Sequence, residues 1–210
     1  MSTEEQSYPD TRDQSVDWRF LLPFSKSGKS LFIGERSDYL KIFFEDIGFP
    51  SIAWLSTISL SEASLLSSHK STFNIIAFPF GIRSNIPISQ ANKVEFFTAI
   101  RRLLEPGGVL FFGFHNIWRR NGSQTITSTP HQMRVVLRKA GYPVPDYYAA
   151  YPNLMMPEYI FPLKSVPYRF ALKFHLRNRI PHPLLRFLSN KIMLSGVSNF
   201  LPSYFAVVRV

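Results

Sequence analysis

Two glycine-punctuated segments constrain the fold of this chain more than anything else in it. Leu103-Leu104-Glu105-Pro106-Gly107-Gly108-Val109-Leu110-Phe111-Phe112 reads as a helix end, a tight turn and a buried strand. Pro presets such a turn, and Gly supplies backbone that a β-carbon would obstruct. Upstream, Ser30-Leu31-Phe32-Ile33-Gly34-Glu35-Arg36-Ser37 reads as a strand running into a helix. In α/β proteins a nucleotide-type cofactor sits at such a junction.

The rest of the pattern agrees. Tyr39, Ile42, Phe43 and Ile47 recur at helical spacing over 38–47, with Gly48 as the stop. Ser51–Leu55 is the next strand, and Phe73–Phe78 is a third, too apolar for a sheet edge. Residues 87–104 carry the longest helix, with Val94, Phe97, Ile100 and Leu104 on one face. Val109–Phe114 is the fourth strand, 130–140 a helix closed by Gly141, and 204–210 a final strand. Alternating β and α with apolar, unalternating strands predicts a doubly wound, mostly parallel Rossmann-like sheet. The last strand is expected to be antiparallel, with the Leu31 and Val109 strands near the centre. The reading divides the chain into a mobile arm (1–17), an α/β core (18–150), a helical or irregular insertion (151–203) and the final core strand (204–210).

Composition suits one packed domain of 210 residues: 45% of them are hydrophobic and 20 are Phe. Cysteine is absent, which excludes disulfides and thiolate chemistry. The start of the chain is polar and acidic, unlike a secretory signal, and no window approaches the ~20 apolar residues of a membrane span. A cytoplasmic protein is expected, with peripheral membrane association as an addition. Net charge is +10 and lopsided: residues 1–100 hold 9 Lys/Arg and 11 Asp/Glu, whereas 101–210 hold 15 and 3. A basic half suits nucleic acid, anionic lipid, an acidic partner or simply solubility.

The order of elements resembles the class I S-adenosylmethionine-dependent methyltransferases. Leu104-Glu105-Pro106-Gly107-Gly108-Val109-Leu110 is similar to the L-x-P-G-G-x-L turn that these enzymes carry before their fifth strand. The resemblance covers roughly residues 18–150 and the final strand. It implies S-adenosylmethionine as cofactor, held by Gly34, Glu35, Arg36 and Ser37 and flanked by Leu55, Phe78 and Phe80. The chain departs from the family's pattern at the cofactor. The first glycine of the Gly-x-Gly-x-Gly turn is Gly34, but Arg36 and Asp38 stand at the other two. The second strand ends in Trp54-Leu55-Ser56-Thr57, with no carboxylate for ribose hydroxyls. Phe78-Pro79-Phe80-Gly81 offers no Asn or Asp to hold an amine. Two functions follow: an atypical methyltransferase acting on a hydroxyl or carboxylate of a small molecule or glycan, or an inactive methyltransferase-like binding subunit with a protein partner.

Gly28-Lys29-Ser30 fails as a phosphate loop, because Pro23 stands where a Gly is needed and the turn precedes a strand. The five histidines show no metal-ligand spacing, so no metal is expected. His115, beside Asn116, lies just past the fourth strand, where a His serves as general base or as a hydrogen-bonded loop residue. The Tyr-, Pro- and Met-rich run 151–162 is read as a lid or partner surface, with Tyr151 and Tyr159 as substrate contacts. Basic amphipathic helices over 164–191 either cap the sheet or lie on an anionic membrane. Their apolar faces do not suit base stacking, which argues against nucleic acid.

Overall fold

The computed structural model describes residues 18–22, 28–34, 52–55, 73–81, 89–117, 126–151, 153–154, 157–164 and 201–210. Among the described residues seven strands form one sheet: β1 (Ser30–Ile33), β2 (Ile52–Leu55), β3 (Phe73–Phe78), β4 (Leu104–His115), β5 (Asp146–Tyr151), β6 (Tyr159–Pro162) and β7 (Ser203–Arg209). Their order is β2-β1-β3-β4-β7-β5-β6. β1 pairs in parallel with β2 and β3, and β3 with β4. β7 is antiparallel to both β4 and β5, and β6 to β5. Five strands therefore point one way, with β6 and β7 opposed. β4 is central, as expected, while β1 is second from one end.

Helix α1 (Gln90–Leu103) crosses from β3 to β4, and α2 (Pro130–Lys139) leads toward β5. α1 begins later than the spacing predicts, because the Ser89 hydroxyl accepts from the Asn92 N–H and caps it there. α2 starts at Thr129 with a reciprocal capping box to Gln132. Both helices cover one face of the sheet. There Phe97, Ile100, Met133 and Leu137 pack on Ile76, Phe78, Leu110 and Phe112. On the other face a 3-10 turn, Trp18–Leu21, lays Trp18 against Phe111 at 5.1 Å between ring centroids. Trp18 and Leu22 thus pack on this face of the sheet.

The Pro-Gly-Gly turn is built into β4. Gly107 takes a positive φ of 80° and donates its N–H to the Val210 carbonyl at 2.7 Å, closing the end of β7 onto the turn. The described residues of the run 151–162, read as a lid or partner surface, include parts of two strands. Tyr151 ends β5, and Tyr159–Pro162 forms β6, which extends the sheet in antiparallel register. Prolines at 152, 157 and 162 prevent a helix but permit a short edge strand. The arm 1–17, the helix read at 38–47 and the basic helices over 165–191 lie outside the described residues. No helix among the described residues is long and apolar enough to cross a membrane.

Candidate functional site

Chain order reverses at β1. The chain passes from β1 to β2 on one side and then places β3 on the other. In open α/β sheets the crevice beyond the carboxyl ends at such a reversal receives the ligand. Here it lies between Gly34, after β1, and the turn 79–81, after β3.

Gly34 donates its N–H to the Leu55 carbonyl at 2.8 Å, so the ends of β1 and β2 are tied together. A β-carbon at Gly34 would come 3.3 Å from Phe32 Cε1 and 4.0 Å from Phe80 Cδ2. Phe32 in turn meets Trp54 at 4.3 Å, and Phe80 meets Trp18 edge-on at 6.0 Å. The described walls are therefore apolar and aromatic, with main chain exposed by the missing side chain at Gly34. This suits the apolar parts of an adenosyl group. At the end of β2 the described residue is half-buried Leu55, which packs on the helical-face core and offers ribose hydroxyls no acceptor in its side chain. Glu35, Arg36 and Ser37 lie outside the described residues. Phe78 is fully buried in that same core, stacked on Phe112 at 5.2 Å, so its ring serves packing.

Two strand spacings from β1, about 10 Å away, β4 ends in His115, with Asn116 directly after it. Leu110, Phe112 and Phe114 face the helices, while Val109 and Phe111 face the other way, and His115 follows the second set. His115 is half-buried. Its Nδ1 lies 2.9 Å from Ser203 Oγ, and the two residues are register partners across β4 and β7. Ser203 is fully buried. Asn116 is buried as well. Its side-chain amide donates to the Leu201 carbonyl at 2.9 Å and to Tyr204 Oη at 3.1 Å. An Asn amide has two hydrogens, so both are taken by the chain.

Lys93, in the first turn of α1, donates to the Thr127 carbonyl at 2.9 Å, and Thr127 bridges His115. Burial lowers the Lys93 pKa, since desolvation disfavours the ammonium. Tyr151 and Tyr159 are brought together as cross-strand partners. They stand at the same carboxyl edge as His115, one residue beyond the row formed by His115, Ser203 and Ala150. Alternation places Tyr151 with Tyr147 on the helical face, opposite His115. Ser203 is the partner that sequence reading missed, because a lone Ser ahead of a strand carries no pattern; only the register reveals it. Among the described residues no cluster of His, Asp or Glu could hold a metal ion.

No family model matches the sequence, and no curated protein matches it. Solved structures do. A methyltransferase dependent on S-adenosylmethionine from Archaeoglobus fulgidus superposes with TM-score 0.50 at 10% identity, covering 87% of this chain and 86% of that one. Another from Mesorhizobium loti gives 0.49 at 10% identity, covering 91% and 95%. The [4+2]-cyclase SpnF gives 0.46 at 12%, covering 87% and 75%. At such identities likeness speaks of the fold, and function must be argued from the site. The chain has the Rossmann-like α/β fold of the class I S-adenosylmethionine-dependent methyltransferases.

Proposed function

We propose that the protein is an atypical S-adenosylmethionine-dependent methyltransferase acting on a hydroxyl or carboxylate of a small molecule or glycan. The observation that carries this is His115. A titratable ring stands at the carboxyl edge, two strands from the Gly34 crevice, with Nδ1 held by a buried hydroxyl. When bound, the cofactor supplies an electrophilic methyl group on a sulfonium. Gly34 and the main chain through Ser37 would hold it, with Leu55 and Phe80 as its walls. For a hydroxyl acceptor, His115 would take the proton at Nε2 while Ser203 Oγ accepts from Nδ1–H. The hydroxyl thus holds the tautomer that leaves Nε2 basic. Asn116 would act through its neighbour, tying the end of β4 to the Leu201–Tyr204 entry of β7. For a carboxylate acceptor no proton need be removed, and positioning alone would serve. Tyr151 and Tyr159 would border the acceptor from the helical face.

Equilibrium dialysis of labelled S-adenosylmethionine against wild type and Gly34→Val tests the reading. Saturable binding that the substitution removes supports it. Binding that survives a branched side chain beside Phe32 and Phe80 counts against this crevice.

The second reading, an inactive binding subunit, is favoured by Leu55. An apolar strand end in place of a charged acceptor forfeits a few kcal/mol, or ~100-fold in affinity.

A further inference from the structure

The edge of the sheet opposite the candidate site is basic. Both α1 and α2 end there, and so do the start of β1 and the end of β7. Among the described residues six cations at this edge are exposed: Lys29, Arg101, Arg102, Arg138, Lys139 and Arg209. The helix ends that carry Arg101 and Arg138 meet at Gly141, while Arg209 alternates with Val207 onto the face away from the helices. The Arg101 guanidinium lies 3.3 Å from where a β-carbon of Gly141 would stand, and the Gly141 N–H binds the Arg138 carbonyl at 3.1 Å. Arg209 is the register partner of Val109, just past the Gly107–Gly108 turn. The two carboxylate side chains described at this edge are engaged. Glu105 accepts from the Asn74 amide at 2.6 Å, and Asp146 faces Lys164 at 2.9 Å. Cations in the last turns of α1 and α2 offset the helix dipoles. That role does not extend to Lys29 and Arg209, which lie on no helix.

Beside these cations stands an apolar tip. Val144 follows Gly141 by three residues, is 76% exposed, and adjoins exposed Pro143. We propose that this amino-terminal edge docks on an anionic lipid bilayer. The cations would meet the headgroups and Pro143–Val144 would enter the interface. Charge complementarity and the exposed tip carry the proposal. Nucleic acid fits less well, because Val144 is aliphatic and base stacking needs a ring. Docked this way, the carboxyl edge with His115 would stand about 20 Å above the lipid, open to water. An acceptor would then arrive from solution. The inference is independent of the methyl-transfer reading.

Vesicle flotation of the full chain tests it. Wild type should float with vesicles of phosphatidylcholine and phosphatidylserine at low salt, not with phosphatidylcholine alone, and should detach as salt rises. Each basic residue near such a surface contributes about fivefold, so Arg138→Glu with Lys139→Glu should weaken binding at least about 25-fold. Val144→Asp, which leaves the helices untouched, should also weaken it and keeps the test open if the double variant unfolds. The proposal is overturned if wild type ignores anionic vesicles, or binds heparin or RNA but not lipid. It also fails if these variants float as wild type does; loss of flotation in Lys173→Glu with Arg177→Glu would then assign the contact to the basic run over 164–191.

Discussion

The carbonyl oxygen of Pro79 occupies the space that a side chain on Gly113 would need. A β-carbon at Gly113 would overlap it and would also come 2.8 Å from Leu154 Cδ1. The turn after β3 therefore folds against β4 where Gly113 leaves the buried stretch of that strand without a side chain, and this sets where Phe80 stands in the crevice. Gly113→Ala should destabilise the protein by about 1–3 kcal/mol, the cost of overpacking a filled site, and should displace the 79–81 turn. Thermal melts and the Phe80 ring resonances would read the two effects. An unperturbed melt would show that the turn is not held there.

Tyr142 and Tyr147 bury their hydroxyls with no hydrogen-bond partner among the described residues. Replacing either by Phe should be neutral or stabilising by up to about 1 kcal/mol, since a buried unpaired hydroxyl contributes desolvation cost and no bond. Chemical denaturation of the two variants checks this, and a loss of more than that would reveal a partner.

The same burial raises both phenol pKa values above the usual 10, with Arg101 and Arg134 opposing it in part. A folded-state pKa above the unfolded value means that the folded state holds its proton longer. Its contribution is complete below about pH 10 and is lost as pH climbs toward the folded values. Stability should therefore fall with pH above about 10, less steeply in Tyr142→Phe with Tyr147→Phe. Equal slopes in variant and wild type would contradict this assignment.

Ser203→Ala removes one oxygen from a fully buried position and should cost about 1 kcal/mol of stability. Its larger effect should be on His115. Nitrogen NMR of the wild-type ring should show hydrogen fixed on Nδ1, and the variant should lose that preference for Nδ1. A wild-type ring protonated at Nε2 would leave no base facing the acceptor.

Much of this architecture is legible in the chain because its strands are short apolar runs bounded by Gly and Pro. Leu31–Ile33, Phe73–Phe78 and Val109–Phe114 could be read directly, and each is a strand of the sheet. β6 could not be: Tyr159–Pro162 sits between prolines, and an edge strand owes its existence to pairing with β5, which local pattern does not encode. The site divides in the same way. Gly34 stands out because it closes a short apolar run, and His115 because it follows a buried one. Ser203 and Lys93 become visible only when register and packing bring β7 and the 126–129 segment to the end of β4. Phe78 looked like a wall of the crevice by position, yet alternation along β3 turns its ring into the helical core.

Arg36→Gly offers a test from the sequence pattern. If the side chain at that position narrows the approach to the cofactor's amino-acid moiety, its removal should tighten cofactor binding. Weaker binding in the variant would make Arg36 a ligand contact.

Calorimetry of the wild-type protein with S-adenosylmethionine tests the central claim most directly, because it needs no acceptor. A methyltransferase crevice that keeps Gly34 but ends β2 in Leu55 should bind with a dissociation constant on the order of 100 μM. Absence of saturable heat into the millimolar range would contradict the enzyme reading and leave the fold as a binding module.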